Sequence, residues 1–249
     1  ARHNRPRLLR RKCTSASTLV GRHACTHKKT VLHCKQIQLA GGISRNHIAT
    51  HGIQKCRRRI VVDLAKEKQQ RSRPSFPHLG QLGVKHRYKE GMFDQVDRVL
   101  YDLKHNPASR RIITNIYVHS DLSEMHLYPC AYSVTFNVTD GKLNAILNQR
   151  SNDMAVANNW NVVQYAVLVH MFAQVSGLQV GELVHVIADA HIYDRHIPQV
   201  ERMLQGTPLP APKFVINKDI TDFYKFTVDD VALENYQFQP FSEKFEVAI

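Results

Sequence analysis

Residues 81–249 predict an α+β fold, a mixed β-sheet packed with helices around one central buried helix. Three observations carry that prediction. The run VVQYAVLVHMFAQVSG (162–177) is apolar on nearly every side and ends in Gly177, as a buried helix capped by glycine would. The segment FDQVDRVLYDLKHN (93–106) spaces Phe93, Val96, Val99, Leu100 and Leu103 at helical intervals. Between and after these helices lie alternating runs bounded by turn residues, the pattern of strands.

Taken in order, the 93–106 helix stops at Asn106–Pro107, because proline cannot continue a helix and restricts the residue before it. RRIITNIYV (110–118) reads as a strand. AYSVTFNVTDGKLNAILNQR (131–150) reads as two strands joined at Asp140–Gly141, a dipeptide suited to a tight hairpin turn. After the central helix, ELVHVIADAHIYD (182–194) continues as a strand, and the proline-rich PLPAPKFVI (208–216) leads into another. The closing KFEVAI (244–249) alternates and is expected to be a strand.

The formal net charge of +13 points at first to a nucleic-acid binder, but the charge is not spread along the chain. Residues 1–80 hold 19 Lys/Arg against 2 Asp/Glu, whereas residues 81–249 hold 15 against 19. The same boundary divides other residue types. Four of the five cysteines lie before it, and Phe76 is the only aromatic residue there. So little aromatic and apolar content does not offset the entropy of ordering, so residues 1–80 are expected to be poorly ordered.

Cys13, Cys25, His27, His33 and Cys34 do not fall at zinc-finger intervals, so no metal is expected. The runs RPRLLRRK (5–12) and KCRRRI (55–60) lack interleaved aromatics, which leaves only nonspecific electrostatic contact with nucleic acid. No stretch of 18 apolar residues occurs and the cysteine count is odd, which makes a cytoplasmic protein with reduced thiols and no membrane partner the expectation.

The chemistry concentrates in QRSNDMAVANNWN (149–161) and in LYPCAY (127–132). A thiol, an arginine, a serine, an aspartate and an asparagine ahead of an apolar helix suit a nucleophilic enzyme acting on an anionic, amide-bearing substrate. Further ordered motifs are QLGVKHR (81–87), NPASRRII (106–113), DAHIYDRH (189–196), FTVDD (226–230) and the terminal VAI. Together, at this spacing, they resemble the thymidylate synthase family across residues 81–249.

That resemblance implies a sheet-mediated homodimer that converts dUMP to dTMP with 5,10-methylenetetrahydrofolate as co-substrate and without a metal. It implies Cys130 as the nucleophile that adds to carbon 6 of the uracil ring. Arg150 and Ser151 would hold the substrate phosphate, together with Arg110 and Arg111 from the other subunit. Asn161 would read the base, because a carboxamide offers one donor and one acceptor to the uracil edge. His191 and Tyr193, two apart on a strand and therefore on one face, would hold the deoxyribose hydroxyl. Asp153 would bind the pterin of the reduced folate, and Ile249 would close the site through its terminal carboxylate.

Ala131 and Ala157–Trp160 depart from the commoner family residues and mark a subgroup. The upstream departure is larger. The family's apolar helix with its catalytic glutamate is not recognisable in residues 1–80, whose only glutamate, Glu67, sits in polar LAKEKQQR. Impaired turnover is therefore expected. The abrupt change of composition is what a frame-shifted or mis-joined reading upstream of Gln81 would produce.

Overall fold

The computed structural model describes residues 30–38, 85–125, 127–241 and 243–246. A mixed sheet forms its centre. Its strands are β1 (Thr30–Gln38), β4 (Ile113–Asn115), β5 (Ala131–Thr139), β6 (Lys142–Gln149), β7 (Asn152–Asp153) and β8 (Gln179–His191), in the order β1-β8-β6-β5-β4 with β7 also pairing with β8. β6 and β7 run parallel to β8, and the other pairs are antiparallel. Two small hairpins stand apart from it, β2 (His86–Tyr88) with β3 (Gly91–Phe93), and β9 (Lys213–Ile216) with β10 (Val231–Glu234).

β5 and β6 meet at Asp140 and Gly141, both at positive φ (51° and 71°), as a two-residue hairpin of matching twist requires. Past the turn, alternate residues face inwards. Val134 and Phe136 on β5, and Leu143, Ala145 and Leu147 on β6, are buried.

Onto that inner face packs α2 (Asn158–Val175), with Ala166, Met171, Phe172 and Ala173 almost fully buried. Phe172 meets Phe136 edge-on, with ring centres 5.4 Å apart, and stacks on Phe223 at 4.8 Å. The helix ends where Gly177 takes φ 70° and Leu178 donates its N–H to the Ala173 carbonyl, while Gly177 donates to Gln174. This left-handed cap satisfies carbonyls that would otherwise be orphaned. Gln174 then reaches the carbonyls of Asn217 and Ile220, tying the helix to the β9–β10 side.

α1 (Gln95–His105) begins at Asp94, whose carboxylate accepts from the Asp97 N–H, and stops at Asn106 as its Asn–Pro predicts. Arg98 on α1 makes a two-point contact with buried Asp102 and a 2.7 Å bond to Glu90, which pins the β2–β3 hairpin to the helix. After β8, a 3-10 turn (Asp194–His196) leads into α3 (Ile197–Leu204).

Several elements differ from the sequence expectations, and β2, β3 and β7 are among those that form where none was expected. The strand over 110–118 shrinks to three residues, because the chain on either side leaves the sheet. α3 and β10 form where no element was expected. Of the expected terminal strand (244–249), the described residues 244–246 form no strand. Within 1–80, Thr30–Gln38 pairs antiparallel with β8, from Gln38↔Glu182 to Thr30↔Ala190. Backbone pairing at the edge of an existing sheet does not require a core of its own. The rest of residues 1–80 lies outside the described residues.

Candidate active site

The strands deliver the chemistry-bearing residues to one end of the sheet. Cys130 immediately precedes β5, and Arg150 immediately follows β6, its hairpin partner. Across this open end the Arg150 N–H donates to the Cys130 carbonyl at 2.8 Å. The Arg150 guanidinium turns back over the same loop, donating from Nε to Pro129 O (2.9 Å) and from Nη2 to Tyr128 O (2.7 Å). Nη2 thereby lies 3.8 Å from the Cys130 sulfur, which is partly exposed. A fixed cation beside a solvent-reachable thiol is the environment in which sulfur acts as a nucleophile.

Ser151 and Asn161 join this pair through a residue that the sequence reading did not assign. Gln149 closes β6 on its inner, core-facing side and is 2% exposed. Its Nε2 donates to the Ser151 carbonyl (2.9 Å) and to Asn161 Oδ1 (3.0 Å), and its Oε1 faces Nε2 of His185 on β8 at 2.8 Å. Burial pushes the His185 imidazole down to about 4, so it is neutral at pH 7. A second buried amide pair, Asn152 Nδ2 to Asn158 Oδ1 at 2.9 Å, fastens β7 to the first turn of α2.

Parallel pairing of β7 with β8 sets Asp153 beside His191. The Asp153 carboxylate accepts N–H groups from Ala155 (2.9 Å) and Val156 (3.2 Å), which holds it rigidly at the rim. His191 is the last residue of β8 and Tyr193 lies beyond the strand, so the expected strand relation between the two is not the observed one. Their rings nevertheless meet edge-on at 5.1 Å, and Tyr193 contacts His196 in the same manner at 5.7 Å. His196 Nε2 donates to the Glu246 carbonyl at 2.8 Å, drawing the last described residues towards this corner. Ile249 lies outside the described residues.

Arg110 and Arg111 are not part of this cluster in their own chain. Both are exposed, and neither takes part in an ion pair among the described residues. The Ile112 carbonyl accepts from Phe136 N–H, so the two arginines lie at or beyond the level of Phe136 along β5. Six residues of strand separate that level from Cys130, about 20 Å at the usual rise. No arginine side chain spans that gap.

The profile of the family described as thymidylate synthase matches residues 61–249, beginning upstream of the first motif legible at residue 81. The thymidylate synthase of Bacillus phage phi3T is 46% identical over 158 residues, 63% of this chain and 57% of that protein. The thymidylate synthase of Bacillus licheniformis is 46% identical over 170 residues, 68% of this chain and 61% of its own length. The chain thus spans about three fifths of the length of these curated relatives. Among solved structures, the thermostable thymidylate synthase A from Bacillus subtilis superposes with a TM-score of 0.77 at 32% identity, covering 89% of this chain and 86% of that one. With a profile matched across most of its length and a superposable fold, the chain belongs to the thymidylate synthase family.

Proposed function

We propose that the protein methylates dUMP to dTMP, using 5,10-methylenetetrahydrofolate, through a covalent adduct on Cys130. The observation that carries this reading is the Arg150 guanidinium held 3.8 Å from the Cys130 sulfur by two backbone carbonyls. Cys130 attacks carbon 6 of the uracil ring, and the resulting electron-rich carbon 5 becomes the nucleophile. Arg150 and Ser151 bind the phosphate, Asn161 pairs with the base, and His191 with Tyr193 holds the deoxyribose hydroxyl. The reduced folate supplies both the one-carbon unit and the hydride. Asp153, rigid at the rim and acceptor-only when ionised, suits the N–H donors of a pterin, and Ile249 would close the site behind it. No step draws on a metal.

Two observations support a homodimer. Arg110 and Arg111 are too far from Cys130 to serve their own site, whereas a two-fold partner could present them to it. The sheet face turned away from α2 also carries exposed Ile113 and Ile146, with Val184 and Val186 only half-buried. That face suits a second copy. A reactive thiol kept reduced belongs in the cytoplasm. Among the described residues no helix is long and apolar enough to cross a membrane.

The test is dTMP formation by the full chain and by Cys130→Ser, with dUMP binding followed by calorimetry. The parent should form dTMP, at the reduced rate that the unrecognised upstream glutamate implies. The serine variant should bind dUMP and form no detectable product, because an alcohol is far less ionised than a thiol at neutral pH. Turnover in the variant close to that of the parent would remove Cys130 from the mechanism. Binding without turnover in the parent would leave a nucleotide-binding scaffold.

A further inference from the structure

We infer that His185 is a positioning residue for base discrimination: acting through Gln149, it holds the Asn161 carboxamide in the one orientation that pairs with uracil. The inference rests on the nucleotide reading above and asks what makes that reading selective. An asparagine does not by itself distinguish uracil from cytosine. With Oδ1 towards ring nitrogen 3 and Nδ2 towards the group on carbon 4, it accepts the uracil N–H and donates to the carbonyl. Turned by 180°, it donates to the bare nitrogen of cytosine and accepts from the amino group. Selectivity therefore requires something that prevents the turn.

The buried network supplies it, and its sense can be worked out from one fixed point. The Ser151 carbonyl can only accept, so the Gln149 atom 2.9 Å from it is the amide nitrogen. That nitrogen's second hydrogen points to Asn161, so the Asn161 atom 3.0 Å away is the oxygen. Asn161 Nδ2 is thus turned to the other side, so the network fixes a single orientation of the carboxamide, which on the nucleotide reading is the one that pairs with uracil. The remaining polar atom of Gln149, Oε1, needs a donor. Nε2 of His185, 2.8 Å away, provides it and must therefore carry the hydrogen. Gln149 and His185 are 2% and 4% exposed, so no water stands ready to replace either partner.

His185 sits on the same inward-facing row of β8 as Leu183 and Ile187, in parallel register with Leu147 of β6. A nonpolar side chain at 185 would leave Oε1 of Gln149 buried without a donor. Gln149 then gains by turning or withdrawing, and Asn161 is released to take either orientation.

Binding of dUMP and of dCMP to the full chain, measured by calorimetry at one pH, tests this. The variants are His185→Gln, which keeps an N–H close to the position of Nε2, His185→Phe, which does not, and Gln149→Leu, which removes the link itself. The parent and His185→Gln should prefer dUMP by similar factors. His185→Phe and Gln149→Leu should each narrow the dUMP-to-dCMP ratio about tenfold or more, with dCMP binding gained as dUMP binding is lost. If both nucleotides weaken in parallel and the ratio stays constant in either folded variant, the role is merely structural and the inference is overturned. Failure of the parent to bind dUMP would overturn the nucleotide reading and this inference together, an outcome distinct from a preference that survives both substitutions.

Discussion

His185 and His170 are held neutral in the fold, each pushed to about 4 chiefly by burial, with Lys218 adding to the effect at His170. The unfolded chain, in which both titrate near the ordinary 6.5, takes up protons that the folded one refuses. Stability should therefore be flat above pH 6.5 and fall as pH drops towards 4, by on the order of 2–3 kcal/mol per histidine at pH 4.5. Urea unfolding of the parent and of His185→Gln at pH 7 and 4.5 separates the His185 share. Equal losses in both proteins would show that His185 contributes nothing to the acid slope. β6 and β8 show what was legible at this scale. Cys130, Arg150, Ser151 and Asn161 stand out in sequence because their residue types carry chemistry. Gln149 and His185 were not assigned, yet a signal was present: each continues a period-2 row of inward apolar residues (Leu143, Ala145, Leu147; Leu183, Ile187) with a polar one. A polar residue on a core row needs a partner, and each is the other's.

At the scale of elements, α2 was the most readable because its apolar surface runs all the way round and its glycine stop is unambiguous. Phe172 lies between Phe136 of β5 and Phe223 beyond β9, so one side chain joins the sheet, the helix and the β9–β10 side. Phe172→Ala should cost about 3–5 kcal/mol of unfolding free energy, because three layers cannot all close on the vacated space. Denaturant unfolding measures it, and a loss under about 1 kcal/mol would mean that the layers collapse freely. α3 and β10 escaped notice for a shared physical reason. Each is short, and no residue of α3 is fully buried, so neither writes a long periodic pattern into the sequence. The extended tail erred the other way. KFEVAI alternates, but its described part is held by His196 at the Glu246 carbonyl, with an Arg202–Glu243 ion pair just ahead of it, and alternation alone did not provide a neighbouring strand.

At the scale of the whole molecule, the placement of Arg110 and Arg111 makes a partner subunit testable by mixing two inactive variants. A Cys130→Ala subunit still offers both arginines, and an Arg110→Ala/Arg111→Ala subunit keeps its own thiol. In the heterodimer one site receives both defects and the other neither, so activity should return towards half the parent's level per verified heterodimer. With a parent that itself turns over, no recovery would mean that the arginines do not serve the partner's phosphate site. The antiparallel edge contributed by β1 has a different consequence. β8 is thirteen residues long, and β1 covers the side of it that β6 and β7 leave open. A chain cut at residue 81 would present that backbone bare, with β-branched side chains on either hand, as a template on which strands from other molecules could add. By covering that edge, β1 should therefore oppose such addition.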